Sequence, residues 1–189
     1  MAKPLLTDEL WEIIKPLLPP EKPRSKGGRP RVPDRFALTG MLFVARTGTA
    51  WELLPPELGC GSGMTCWRRL RDWQVSGVWQ KVWKAILDQL GLADQIDWSK
   101  AVVDSSSVRA LFGGEKTGPN PTDRGKNGSK RHIISDGKGI PLAVTQTGAI
   151  EHDSQQAISL VDSIPAIKRA GGGRRRRPDA LYADGAYDA

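Results

Sequence analysis

Two short apolar runs, each closing on an aspartate, do most to restrict what this chain can become. One is Ala101-Val102-Val103-Asp104 and the other is Ala180-Leu181-Tyr182-Ala183-Asp184. Runs of this length and composition read as buried strands, and each would deliver one carboxylate to its end. Between them lies the clearest hairpin in the sequence. Lys130-Arg131-His132-Ile133-Ile134-Ser135 is followed by Asp136-Gly137-Lys138-Gly139 and by Ile140-Pro141-Leu142-Ala143-Val144-Thr145. Asp-Gly between two β-favouring runs is a strong turn signal. Asp153 then caps a predicted helix, with Gln156 reaching back and Ala157, Leu160, Val161 and Ile164 on one face.

The resulting order is strand with acid, two strands in a hairpin, helix, strand with acid. In the ribonuclease-H-like architecture a three-stranded meander is followed by a helix and a fourth strand parallel to the first. That topology would bring Asp104 and Asp184 together. Two adjacent carboxylates suit a magnesium-dependent phosphodiester chemistry, because magnesium takes hard oxygen ligands and needs only one or two carboxylates besides water and substrate phosphate. For either acid alone, a strand end at the surface is the plainer explanation. The pair carries the case.

The N-terminal half has a different rhythm. Thr7 caps a predicted helix with Leu10, Ile13, Ile14 and Leu17 at helical intervals, broken by Pro16 and stopped by Pro19-Pro20. A Pro/Gly/basic linker (Lys22, Arg24, Lys26, Arg29, Arg31) reads equally as a solvated connector or as an arm along phosphates. Asp34 is expected to cap a second helix, and Thr49-Ala50-Trp51-Glu52 has the capping-box pattern. A glycine-rich turn, 59–63, leads into a helix bearing Arg68, Arg69 and Arg71, with Trp67, Leu70 and Trp73 or Gln74 on its apolar face. Helix, glycine turn and arginine-bearing helix look like a helix-turn-helix reader of a major groove. An amphipathic helix with a solvated basic face is the alternative. A last helix is expected from Ser76, with Gly91 as its stop.

Charge agrees with this division of labour. The net charge is +7, and residues 1–92 hold 14 basic and 9 acidic side chains against 14 and 12 in the remainder. A polyanionic partner is favoured, most of all for the first half. The stretch Leu111 to Ser129 reads as a mobile surface loop, and with the start of the hairpin it offers Lys116, Arg124, Lys126, Lys130 and Arg131. It has no Gly-x4-Gly-Lys-Ser/Thr spacing, so an ATP-binding loop is excluded. Ser105, Ser106 and Ser107 lie in no nucleophile elbow. Cys60 and Cys66 match no zinc pattern and are expected to be reduced thiols. No run approaches the roughly 20 apolar residues of a membrane span, so a soluble cytoplasmic protein is expected. The Gly171–Gly173 stretch and Arg174 to Arg177 read as an exposed connector.

Several longer motifs add a resemblance. Asp104-Ser-Ser-Ser-Val-Arg-Ala, the stretch Thr117-Gly-Pro-Asn-Pro-Thr-Asp-Arg-Gly-Lys-Asn-Gly-Ser-Lys-Arg-His, His152-Asp-Ser and Tyr182-Ala-Asp-Gly-Ala-Tyr-Asp resemble the insertion-sequence transposases of the IS-five group. Leu-Thr-Asp-Glu-Leu-Trp near the start and Trp67-Arg-Arg-Leu-Arg-Asp-Trp resemble that group's helical DNA-binding region. The resemblance implies an α+β chain. An all-α, helix-turn-helix-like module over residues 1–95 would precede an incomplete ribonuclease-H-like α/β domain over 96–189. It implies binding of terminal inverted repeats and target DNA, cleavage and strand transfer with Mg2+ or Mn2+ at Asp104 and Asp184, assembly as a homo-oligomer on DNA, and a bacterial, nucleoid-associated setting. These enzymes carry a third acid, a Glu, well beyond the second Asp. The 189-residue polypeptide has none there, so it is expected to be inactive alone. A downstream-frame polypeptide or a full-length transposase is an expected partner. The alternative is a non-catalytic DNA-binding regulator of transposition.

Overall fold

The computed structural model describes residues 4–21 and 30–187. Most of the basic linker, Lys22, Arg24, Lys26 and Arg29 included, lies outside the described residues. The chain forms two compact units, 1–86 and 87–189. Its helices are α1 (Asp8–Ile14), α2 (Asp34–Thr47), α3 (Gly63–Val75), α4 (Val78–Leu92) and α5 (Ser154–Asp162). Its strands are β1 (Ala101–Arg109), β2 (Gly118–Pro119), β3 (Asn127–Asp136), β4 (Pro141–Gly148), β5 (Ile167–Lys168), β6 (Arg174–Arg175) and β7 (Leu181–Tyr182). The division between the units falls within α4.

The first unit is helical. Thr7 caps α1 as expected, its hydroxyl accepting from the Leu10 amide at 3.3 Å, and the chain tightens into a 3-10 turn at Lys15–Leu17, where Pro16 cannot donate. Leu6, Ile14, Ala37, Leu38, Met41, Cys66, Trp73, Val78 and Val82 form one buried cluster. Trp73 and Trp79 meet edge to face, with ring centroids 5.7 Å apart, the arrangement that aromatic quadrupoles favour. Cys60 and Cys66 are free and buried. Burial, reinforced by the neighbouring Cys60, pushes the Cys66 thiol up to about 12, so it packs as a small hydrophobe.

Four local expectations are corrected here. Pro33, not Asp34, occupies the N-cap of α2; the Asp34 carboxylate instead receives Arg31 and Arg69. The Thr49 capping box does not form, and Trp51–Leu53 is a 3-10 turn without a side-chain cap. The inward face of α3 is Cys66, Arg69 and Trp73, with Ser62 capping it through the Thr65 amide. Trp67 remains 37% exposed, because counting Cys66 as apolar turns the face by about one residue. Gly91 does not stop α4 but lies inside it, and a Cβ there would collide with the Lys168 carbonyl oxygen. Its smallness serves close backbone approach.

The second unit is a mixed sheet in the order β2-β3-β1-β7, with β4 also on β3. β1 and β3 run antiparallel from Ala101↔Asp136 to Arg109↔Gly128. The hairpin of β3 and β4 forms as expected, with one irregularity at Ile134/Ser135. Asp136 ties its turn, accepting from the Lys138 and Ile140 amides through Oδ1 and from the Asp97 amide through Oδ2. β7 lies parallel to β1, with Ala101↔Leu181 and Val102↔Tyr182 in register. Val103, Ile134, Leu142, Leu160, Ile164 and Ile167 are buried in this unit.

Two stretches expected to be loose are built into this unit. Leu111 to Ser129 contains β2, a 3-10 turn at Pro121–Asp123 and the start of β3. The arginine run is bonded rather than a free connector. Arg176 donates to the Ile164 and Asp162 carbonyls, Arg177 pairs with the Asp162 carboxylate, and Arg175 pairs with Asp179 and lies over the Trp98 ring at 5.3 Å.

Candidate active site

Asp104 lies in the middle of β1, not at its end, because the strand continues to Arg109. Alternation along the strand buries Ala101 and Val103 and turns Val102 and Asp104 outward. The Asp104 Oδ1 accepts from the Ser105 amide at 2.7 Å. Asp184 is exposed and stands two residues beyond β7, at the entry to a 3-10 turn, Gly185–Tyr187. Val102↔Tyr182 is the last paired step. Asp104 and Asp184 each follow that step by two residues on their own segments.

Tyr187 closes the neighbourhood. Its amide donates to the Asp184 carbonyl at 3.1 Å. Its hydroxyl is buried and meets no partner with hydrogen-bond geometry. Burial pushes this phenol up, the Ser105 side chain opposes that, and the charges of Asp153, Asp184 and Asp104 add to the rise. All three aspartates act electrostatically on one phenol. Asp153 was expected to cap α5, but its side chain makes no capping bond. Its Oδ1 instead meets the Lys130 ammonium at 3.1 Å and stands 3.5 Å from His132 Nδ1. Lys130 also donates to the Glu151 carbonyl at 2.8 Å. Asp153 and Tyr187 were not singled out from sequence as site residues, although His152-Asp-Ser and Tyr182-Ala-Asp-Gly-Ala-Tyr are among its recognisable stretches. Their relation to Asp104 exists only after folding.

His132 is fully buried on β3, with Nε2 2.9 Å from the Thr147 hydroxyl. Burial lowers its pKa below the ordinary 6.5; Asp153 opposes the shift and Lys130 adds to it. A depressed folded-state value means that the unfolded chain binds the proton first, so stability falls as pH drops below 6.5. Thermal unfolding at pH 7.5 and 5.5 is expected to show a lower midpoint in acid. His132→Gln should flatten that difference, and an equal drop in both proteins would contradict the assignment.

The basic residues expected at DNA separate into classes. Arg68 is exposed. Arg71 is exposed too, paired with Asp72 at 3.0 Å and lying over the Trp67 ring at 5.4 Å. Arg69 is only 8% exposed, bonded to Asp34 and to the Val32 carbonyl. Burial lowers its pKa, with the Asp34 charge acting against that; its guanidinium is not available to a phosphate. In the second unit Lys116, Arg124, Lys126 and Arg131 are exposed, whereas Lys130 is committed to Asp153 and Glu151.

Among the described residues no three metal-ligating side chains gather. Carboxylates such as those of Asp104 and Asp184 are the hard oxygen donors that a magnesium-type cation takes. No described helix is long and apolar enough to cross a membrane.

Comparison with known proteins follows the two units. Residues 6–83 match the family described as "Putative transposase of IS4/5 family", and residues 99–189 match the "Transposase DDE domain". An uncharacterized 16.2 kDa protein of insertion element IS402 from Burkholderia cepacia is 58% identical over 123 residues, covering 64% of this chain and 84% of that protein. A putative transposase for IS402 from the same organism is 49% identical over 78 residues, covering 41% of this chain and only 37% of that protein. The uncharacterized protein y4sN of Sinorhizobium fredii is 33% identical over 107 residues, covering 56% of this chain and 76% of that protein. No solved structure matches. With both units matched and a relative aligned over most of its length, the chain belongs to the IS4/5 family of transposases.

Proposed function

We propose that this chain binds the terminal inverted repeats of its own insertion sequence and contributes Asp104 and Asp184 to a metal-dependent site for DNA cleavage and strand transfer. The observation that supports this reading is the parallel pairing of β7 on β1, from which each acid follows two residues past the last paired step. A bound Mg2+ or Mn2+ would neutralise charge on the phosphate and activate the attacking oxygen. Asp104 and Asp184 would hold it, with Tyr187 and Asp153 behind them and the hydroxyls of Ser105 to Ser107 along the same strand.

Arg68 and Arg71 on α3 are the proposed helix-turn-helix contacts, joined by Lys116, Arg124, Lys126 and Arg131 in the second unit. Arg69 and Lys130 are left out of that set because their charges are spent internally. A homo-oligomer assembled on the inverted repeats is part of this reading.

The test uses labelled duplexes carrying the inverted repeats. Arg68→Ala with Arg71→Ala is expected to weaken binding about tenfold or more, as lost phosphate or base contacts do. Asp104→Asn should bind as the parent does. Unchanged binding by the double arginine variant would remove α3 from the interface. Magnesium-dependent strand transfer by the pure 189-residue chain would show that two acids suffice.

A further inference from the structure

Phe112 is 99% exposed and its neighbour Leu111 74% exposed. A large aromatic held fully in water is unfavourable, and the surrounding backbone is organised rather than slack. The Ala110 amide donates to the Asn127 carbonyl at 2.8 Å, anchoring the base of the loop to β3. The Gly113 amide returns to the Ala110 carbonyl at 3.2 Å, closing a turn with Leu111 and Phe112 at its tip. Gly113 and Gly114 take positive φ at +65° and +133°, conformations that side chains resist, and Lys116 follows at +56°. The Thr117 hydroxyl then donates to the Gly114 carbonyl at 2.8 Å. The loop presents two apolar side chains on a defined turn.

Its surroundings point to a polyanion. Lys116 lies on the loop itself, and Arg124 and Lys126 lie in the turn that enters β3 beside the anchored Ala110. All three are exposed, and none has an acidic partner among the described residues. Arg109, at the end of β1, is already paired with Asp123 at 3.0 Å. An exposed aromatic on a loop whose own and adjoining turns carry exposed cations matches what single bases and opened base steps require, a π-face with charge nearby for the backbone.

We propose that Leu111 and Phe112 form a wedge that stacks on nucleobases of the DNA engaged by this chain, with Lys116, Arg124 and Lys126 holding the adjacent phosphates. The proposal rests on the DNA-binding reading above. Phe112 is eight residues from Asp104 along the strand and loop. At roughly 3.3 Å per residue it lies within about 26 Å of that acid, and at 3.4 Å per base step the wedge meets bases within about eight pairs of the phosphate beside Asp104.

The experiment is a titration of inverted-repeat duplexes carrying 2-aminopurine at successive positions within that span, using the full 189-residue chain. Wild type is expected to change the 2-aminopurine fluorescence at one or two adjacent positions. Phe112→Ala should abolish the change and weaken binding by about tenfold, as loss of one base–aromatic stack does. Phe112→Tyr should retain both. Because Phe112 touches nothing in the fold, circular dichroism and thermal unfolding of the variants should be unaltered. Equal affinity and equal fluorescence for wild type and Phe112→Ala would overturn the wedge while leaving DNA binding in place. A lowered oligomeric state with unaltered DNA affinity would overturn it too, by assigning the loop to protein contact. Failure of wild type to bind any duplex would remove both readings together.

Discussion

Arg69→Ala is expected to destabilise the N-terminal unit by about 3 kcal/mol, although the side chain sits in the most basic stretch of a helix proposed to meet DNA. The guanidinium is nine-tenths buried and holds Asp34 and the Val32 carbonyl. Removing it leaves the Asp34 carboxylate at the start of α2 with Arg31 as its remaining partner, 3.0 Å away. Breaking a buried ion pair from one side costs about 3–5 kcal/mol because the other charge stays desolvated; Arg31 keeps the figure at the lower end. Arg68→Ala, on the exposed side of the same helix, should change stability by less than about 0.5 kcal/mol. Urea unfolding of the two variants separates them. If Arg69→Ala unfolds at the parent's urea midpoint, the buried ion pair has no structural weight. The comparison also guards the functional test, since weaker DNA binding by Arg69→Ala would report a damaged fold rather than a lost contact.

Gly63→Ala is expected to be the most damaging of the glycine substitutions in that unit. A Cβ at position 63 would fall inside the carbonyl group of Trp51, and neither partner is a side chain that can swing away. Relief requires the first turn of α3 to move off the 3-10 turn at Trp51–Leu53, which undoes the packing that seats Cys66 and Trp73. Overpacking costs about 1–3 kcal/mol, occasionally more, and a backbone clash belongs at the upper end. Gly171→Ala is the control, because nothing lies within 4 Å of a Cβ there and its φ is not positive. Thermal unfolding should place Gly171→Ala near the parent and Gly63→Ala far below it. Similar midpoints would mean that α3 is not held where the Trp51 carbonyl fixes it.

The parts of the fold that rest on local pattern were legible in the residues. Period-two apolar runs around Asp136-Gly137 require a hairpin, and the hairpin is there. Thr7 before an amphipathic run caps α1, since a hydroxyl at that position can satisfy one unpaired amide. The order of elements was enough to anticipate β7 parallel to β1. Misreadings came where a residue has two possible employers. Asp34 and Asp153 look like helix caps because their sequence neighbours are helical, yet each carboxylate turned to distant cations, Arg69 in one case and Lys130 in the other. Gly91 looks like a helix stop until Lys168 is seen against it. Arg175 to Arg177 look like solvated charge until Asp162, Asp179 and three carbonyls are found within their reach.

By itself, then, the sequence determined the two parallel strands, the hairpin between them, the helical character of the first half and the family the chain belongs to, because these depend on periodicity, turn chemistry and motif. Only the tertiary structure decided which charges remain free for a ligand. A charge is spent or available according to what lies within about 4 Å of it, and those neighbours come from segments 23 to 35 positions away in the cases of Lys130 with Asp153 and Arg69 with Asp34. The same reason explains why Phe112 stands out. Its stretch reads as a surface loop, but a lone Phe in a loop often folds back onto a core, and only the folded chain leaves it uncovered.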